Sequence, residues 1–201
     1  MRDLVYYVAV SVDGFIADPS GGFDAFLLDG DHGSVVLGEY ADALPTHARS
    51  AMGIEPRQTR FDTVVMGWNT LMPALDAGIG SPYAHLRQFV ASSRPRDVDP
   101  AITLTDDPLG TMRGLKQGAG LDIWLCGGGQ LAGALLPEID RLVLKRHPFV
   151  FGSGISLFGH RTFEPHAFAL TRTRSFESGV VIEEYARPSA APGSRGPTAR
   201  T

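Results

Sequence analysis

An α/β fold on a mixed, mostly parallel sheet covered on both faces is what this sequence predicts, and three observations carry the prediction. Residues 4–12 (LVYYVAVSV) and 61–66 (FDTVVM) are dense in apolar, β-branched and aromatic side chains with little polar alternation, as in strands buried on both sides. Stretches of helical spacing or helix-forming composition fall between such runs, which interleaves helices with strands. Two alternating runs, 167–173 (AFALTRT) and 179–185 (GVVIEEY), then close the pattern as an antiparallel pair. The 201 residues suit one domain, and 43% hydrophobic with 20% charged residues is the composition of a packed globular protein. Residues 1–187 are taken as that domain. Residues 188–201 (PSAAPGSRGPTART) lack core formers and are expected to be a flexible tail.

Taken in order, the first strand ends at Asp13-Gly14, and 15–17 (FIA) leads into Asp18-Pro19-Ser20-Gly21-Gly22, a mobile surface segment with the composition of an active-site flap. Val36, Tyr40, Leu44 and Ala48 share a helical face over 35–52, although Pro45 should break or kink it. The strand at 61–66 turns through Gly67-Trp68-Asn69-Thr70 into a short helix at 71–75, with Asn69 or Thr70 as cap and Pro73 in the first turn. A short strand, 88–91 (QFVA), closes on Ser92-Ser93-Arg94-Pro95-Arg96. A weak strand at 102–105 and a helix at 108–116 follow. Next come an apolar strand at 123–126, three glycines, a helix at 130–136 stopped by Pro137, and a strand at 139–144. Lys145-Arg146-His147 stands at that strand's end, before a glycine turn at 152–154.

Charge and cysteine content narrow the function classes. A net charge of −4 and a pI near 5.8 give no long-range attraction for nucleic acid or an anionic membrane. No apolar run approaches ~18 residues and the N-terminus reads as a strand, so a cytoplasmic protein without a membrane span is expected. Cys126, the one cysteine, rules out an intrachain disulfide and reads as a small buried hydrophobe. The six histidines, 32, 47, 85, 147, 160 and 166, show no ligand-like spacing, so no metal is expected.

Three places carry candidate chemistry. Gly127, Gly128 and Gly129 follow a strand and open a helix, where the lack of Cβ atoms admits a bulky anion and the helix start offers unpaired N–H groups. They are either the floor of a nucleotide site or a turn that packs helix on strand. Ser92, Ser93, Arg94 and Arg96 offer hydroxyls and guanidinium forks to a phosphate, or form a solvated basic loop. Lys145 and Arg146 either bind a substrate phosphate or meet solvent at a strand end. The spacing Gly127-x-Gly129-x-x-Ala132 also fits the dinucleotide fingerprint of a Rossmann dehydrogenase, but the next strand ends in Lys145-Arg146 without the acidic residue a ribose needs.

VSVDGFIA at 10–17, FDTVVMGWNT at 61–70, VASSRP at 90–95 and DIWLCGGGQLAGALLPEIDRLVLKRHPFVFGSGISLF at 122–158 together resemble the dihydrofolate reductase superfamily. The most similar branch is the C-terminal reductase domain of the bifunctional riboflavin-biosynthesis deaminase/reductase, and the resemblance covers 4–186. It implies a dihydrofolate reductase-like three-layer αβα fold, a homodimer, and NADPH as cofactor, with NADH as the alternative. It also implies that Ala9 and Ile16 line the nicotinamide pocket, and that Gly67 and Thr70 hold the pyrophosphate. Ser92, Ser93 and Arg94 would surround the adenosine ribose and its 2′-phosphate. Gly127, Gly128, Gly129, Gln130 and Leu131 would pass beneath the cofactor, with the cis bond common in the family between the last two glycines, and 152–154 would lie beside the flap.

Two departures from the family pattern shape the expectation. Trp68 stands where the family usually has an arginine for the 2′-phosphate, so Arg94 or Arg96 would take that task and Trp68 would stack on adenine. No carboxylate matches the one that assists pterin protonation, which makes folate reduction less expected than reduction of another heterocycle or a ribosylaminopyrimidine. Asp13 is the first candidate for orienting substrate or cofactor, with capping of the turn before Gly14 as its other reading; Asp24 is the second, a candidate acid or a surface carboxylate. The expected function is hydride transfer from a reduced nicotinamide to such a substrate. The alternatives are a non-catalytic nucleotide-binding protein of the same fold and a dihydrofolate reductase.

Overall fold

A computed structural model describes residues 1–54 and 58–188 of the chain. Six strands run parallel at its centre: β1 (Leu4–Val10), β3 (Phe61–Gly67), β4 (Arg87–Ala91), β5 (Ile102–Thr105), β6 (Asp122–Gly127) and β7 (Arg141–Arg146). β10 (Val181–Ala186) joins β7 antiparallel, and β9 (Ala169–Ser175) pairs antiparallel with β10 at the edge. The order is β5-β4-β3-β6-β1-β7-β10-β9, a mixed and mostly parallel sheet as expected. A separate short ribbon pairs β2 (Phe15–Ala17) with β8 (Ile155–Ser156).

Helices cover both faces because each central strand is apolar on both. Alternate residues of β1 divide the core: Leu4, Tyr6 and Val10 pack under α4 (Pro108–Gln117) and α5 (Gly129–Leu135), while Val5 and Tyr7 pack under α1 (Gly33–Glu39) and α3 (Trp68–Asp76). The α4 helix begins where Asp107 accepts from the Gly110 N–H at 2.9 Å.

The structure corrects several sequence expectations. The helix expected over 35–52 is broken: α1 ends at Glu39, a single 3-10 turn covers Ala41–Ala43, and α2 (Thr46–Ala51) restarts after Pro45, whose ring cannot continue a helix. The α3 helix starts at Trp68, so neither Asn69 nor Thr70 caps it, and Pro73 lies inside it rather than in its first turn. β7 runs on to Arg146, so Lys145 and Arg146 belong to the strand. The tail expected at 188–201 lies outside the described residues apart from Pro188. Among the described residues no helix is long and apolar enough to cross a membrane, and no His/Cys/Asp/Glu group could hold a metal ion.

The amino end of the sheet is stitched by charge. Arg2, 3% exposed, pairs with Asp62 and donates to Thr63 Oγ1 at 2.7 Å. Lys116 Nζ pairs with Asp140 at 2.7 Å. Asp42, 1% exposed, accepts from the amides of Thr59, Arg60 and Phe61 and from Arg49 Nη1 at 3.2 Å, which fixes the entry to β3.

Candidate active site

The two strand-to-helix junctions converge at the carboxyl ends of β3 and β6. Met66 lies in register with Gly127, which sets Gly67 beside Gly128. A Cβ added to Gly67 would stand 3.7 Å from the Gly128 N, and Cβ atoms added to Gly127 and Gly128 would lie 3.8 and 3.5 Å from Thr70 Oγ1. Apart from their own chain neighbours nothing else comes within 4 Å of those last two positions, with Gly127 itself buried and Gly128 half-buried. Neither α3 nor α5 has a side-chain cap; the first N–H groups of α3 are offered to an anion, whereas the start of α5 packs against the 156–159 turn, with Gly159 beside Gln130. Gly127 has φ +142°, a conformation side chains disfavour, and the Gly127-Gly128 peptide is cis, one bond before the position expected from the family.

Gly129 serves a different purpose from its neighbours. A Cβ there would collide with the Ser156 carbonyl, and one on Gly133 with the Phe158 carbonyl, so these two glycines let α5 dock on the 156–159 turn. Leu131 is buried in the core and Gln130 is exposed. The triplet thus combines both readings: open floor at Gly127 and Gly128, packing at Gly129.

The loop after β4 borders the same edge, because Ala91 is in register with Gly67. Ser92 Oγ donates to the Arg94 carbonyl at 2.8 Å and closes the loop on itself. Ser92, Ser93, Arg94, Pro95, Leu104, Thr105 and Asp106 line a shallow cleft of about 230 Å³. The guanidinium of Arg96 lies 4.4 Å over the Trp68 ring, so an arginine is present beside Trp68 although the sequence has none at that position. A roomier cavity of about 320 Å³, lined by Thr59, Arg60, Gly120, Leu121, Asp122 and Arg141, lies at the opposite end of the sheet. It is remote from the glycine junctions, and open α/β sheets bind ligands at the carboxyl ends of their strands.

Ala9 sits in β1 in register with Lys145, on the face of the sheet that carries Tyr7, whereas Ile16 in β2 packs on the core of the other face. The two therefore flank the end of β1. Gly154 comes against Ala17, at the root of the expected flap, where a Cβ would strike the Ala17 carbonyl. The flap is itself pinned, with Asp18 accepting from Ser20 N at 2.7 Å and Gly22 N at 2.9 Å.

Four residues named from the sequence need correction or division. The Asp13 carboxylate accepts from the Ser11 hydroxyl at 2.6 Å and from the amides of Phe151 at 3.0 Å and Gly152 at 2.7 Å. The Ser11 hydroxyl first, then those amides, hold it down to about 2, so Asp13 is a fixed anion that ties two loops and has no proton to give. Asp24 is exposed, as the surface-carboxylate reading expects. Arg146 pairs with Glu183 at 2.9 Å and approaches the Ser11 and Val12 carbonyls, which makes it a strand tie rather than a grip for substrate phosphate. Lys145 points to the other face, with Nζ 4.4 Å from the centre of the Tyr7 ring. Among the described residues it has no carboxylate partner, and loss of hydration lowers its pKa to about 8.

The residue set fits a dinucleotide on physical grounds: two open glycines, two uncapped helix starts, and an arginine held on an indole at the same edge. Residues 2–182 match the family model of the RibD C-terminal domain. Two Bacillus subtilis (strain 168) proteins, the uncharacterised YwjB and YyaP, are similar. YwjB is 30% identical over 90% of this chain and 96% of its own, and YyaP is 28% identical over 92% and 94%. A candidate riboflavin biosynthesis protein from Shewanella sp. PV-4 shares the fold with a TM-score of 0.64 at 22% identity, over 94% of this chain and 100% of its own. So does a Thermotoga maritima diaminohydroxyphosphoribosylaminopyrimidine deaminase/5-amino-6-(5-phosphoribosylamino)uracil reductase, with a TM-score of 0.64 at 15% identity, over 93% of this chain and 57% of its own. The chain belongs to the RibD C-terminal domain family.

Proposed function

We propose that this protein is an NADPH-dependent reductase that transfers hydride to a small heterocyclic or ribosylaminopyrimidine-type substrate. The observation that carries the reading is the convergence of Gly67, Thr70, Gly127 and Gly128 on one open edge, with Arg96 stacked on Trp68 beside it. The bound coenzyme supplies the hydride, and the chain supplies orientation and exclusion of water. Gly127 and Gly128 let its backbone lie close, and the α3 start with Thr70 takes the pyrophosphate. Arg96, with Arg94 and the Ser92 and Ser93 hydroxyls, takes the 2′-phosphate, for which a guanidinium fork is suited. Family membership supports the reductase class, and the YwjB and YyaP relationship leaves the substrate to experiment.

Calorimetric titration with NADPH and NADH side by side tests the reading. Preferential binding of NADPH, reduced about tenfold in Arg96→Ala with NADH binding unchanged, is the expected result. Comparable weak binding of both coenzymes by the wild-type protein would remove the assignment of the 92–96 loop. We also propose a homodimer, supported by the exposed side chains along the edge strand β9, where Leu170 is 57% exposed. Light scattering that returns the mass of one chain would reject it.

A further inference from the structure

Lys145 is a half-buried amine on the Tyr7 face of the sheet, without an anion to account for it. Long cationic side chains rarely go under a sheet's covering layer without a carboxylate. On this face β1 presents Tyr7 and Ala9, β6 presents Cys126, and β10 presents Ile182 opposite Lys145. The Tyr83 hydroxyl stands 3.9 Å from Cys126 Sγ, and Tyr40 stacks on Tyr7 at 4.3 Å. None of these groups carries a negative charge near neutral pH. Burial pushes the Tyr7 and Tyr83 hydroxyls up, and the Cys126 thiol up to about 11. His147, the next residue but one, has burial as the first cause and Lys145 and His32 as lesser ones that bring it down to about 4. The nearest carboxylate on this face of β10, Glu184, is held by Arg174 at 3.0 Å, one register step away beside Val143.

A structural role for such an amine would satisfy it with acceptors, and a phosphate grip would group it with other cations. Lys145 has neither: its strand neighbour Arg146 faces the opposite side and is bound to Glu183. What it does have is a position level with Ala9, at the carboxyl edge where the glycine junctions open. An ammonium without a carboxylate partner and shielded from water is an acid of raised strength.

We propose that the Lys145 ε-ammonium is the proton donor of the reduction, giving its proton to the substrate nitrogen as the adjoining carbon is reduced. The proposal rests on the reductase reading. The acceptor is a C=N group: its carbon gains hydride from C4 of the reduced nicotinamide, its π pair moves to nitrogen, and that nitrogen takes a proton from Nζ. The products are the amine C–H and N–H bonds, oxidised coenzyme, and a neutral Lys145 amine that solvent reprotonates. A carbonyl acceptor would use the same proton at oxygen.

The test pairs two measurements on wild-type protein, Lys145→Met and Lys145→Arg. The first is NADPH binding, followed by quenching of tryptophan fluorescence, and all three proteins are expected to bind alike. The second is single-turnover oxidation of bound NADPH by 5-amino-6-(5-phosphoribosylamino)uracil from about pH 6 to about pH 10. Wild-type protein should lose rate as pH rises through about 8, because the donor is lost as Lys145 deprotonates. Lys145→Met should be slower by about a hundredfold or more and lose that limb, and Lys145→Arg should not restore it. Lys145→Met turning over at the wild-type rate with the same limb would overturn the proposal while leaving the reductase reading intact. Wild-type protein that binds no NADPH, or binds it without oxidation, would overturn both.

Discussion

At the amino ends of the central strands Arg2 pairs with Asp62 and Lys116 with Asp140, whereas at the carboxyl ends of the same strands Gly127, Gly128 and Lys145 stand without such partners. The amino end carries the larger of the two cavities described above, and Arg2, Asp62, Lys116, Glu138 and Asp140 there are matched to one another. The carboxyl end has open backbone, uncapped helices and an unpaired amine. Polar groups satisfied within the protein stabilise it, and polar groups left unsatisfied at an edge await a ligand. Cavity size alone would have chosen the amino end.

Substitutions at the two ends should therefore separate stability from binding. The largest stability effect belongs to Arg2→Met, which leaves Asp62 with only the Leu121 amide and the Thr63 hydroxyl and should cost about 3 kcal/mol in urea unfolding while leaving NADPH affinity unchanged. Within the glycine triplet the contrast recurs on a smaller scale. Gly129→Ala sets a methyl group against the Ser156 carbonyl and should cost about 1–3 kcal/mol. Gly128→Ala meets only Thr70 at ordinary contact distance, so it should lower coenzyme affinity by about tenfold with less loss of stability. If both variants lose stability equally and bind alike, the division of the triplet is wrong.

Lys145 gives the comparison a pH axis. Its folded pKa of about 8 lies below the value of an unfolded lysine near 10.4, so the unfolded chain binds more protons between those two values. Its burial therefore penalises folding fully below about pH 8, and the penalty fades as pH rises towards 10.4. Lys145→Met should raise stability at pH 7 by on the order of 1 kcal/mol, and the gain should vanish near pH 10.5 in parallel melts. At the other end Arg113→Ala, whose pair with Glu138 is solvent-facing, should cost less than about 1 kcal/mol and lose even that in high salt.

Most of the sheet was legible because central strands covered on both faces leave long apolar runs, as in 4–10 and 61–66. The glycine junctions were legible too, since few sequences other than a strand-turn-helix read as DIWLCGGGQLAGALL. What the sequence obscured is explained by the period of a strand. Reading the strand as ending at Leu144 makes Lys145, Arg146 and His147 one basic cluster. The strand in fact continues to Arg146, and its two-residue alternation sends Lys145 to one face and Arg146 to the other. His147 then turns inward, accepting from the Leu27 N–H at 3.2 Å. The ties of Asp13 were hidden for a related reason. Its partners Phe151 and Gly152 are more than a hundred residues away, and no local pattern announces them. Arg96 could be proposed from the sequence but not aimed, because its contact with Trp68 depends on β4 lying in register beside β3.

A crystal structure of the protein grown with NADP⁺ tests the central claim most directly. The account predicts the pyrophosphate against the start of α3 and Thr70, the coenzyme lying over Gly127 and Gly128, and the nicotinamide end beside Ala9 and Lys145. Coenzyme bound instead in the Arg60 and Arg141 cavity at the amino end, or absent at saturating concentration, would contradict it.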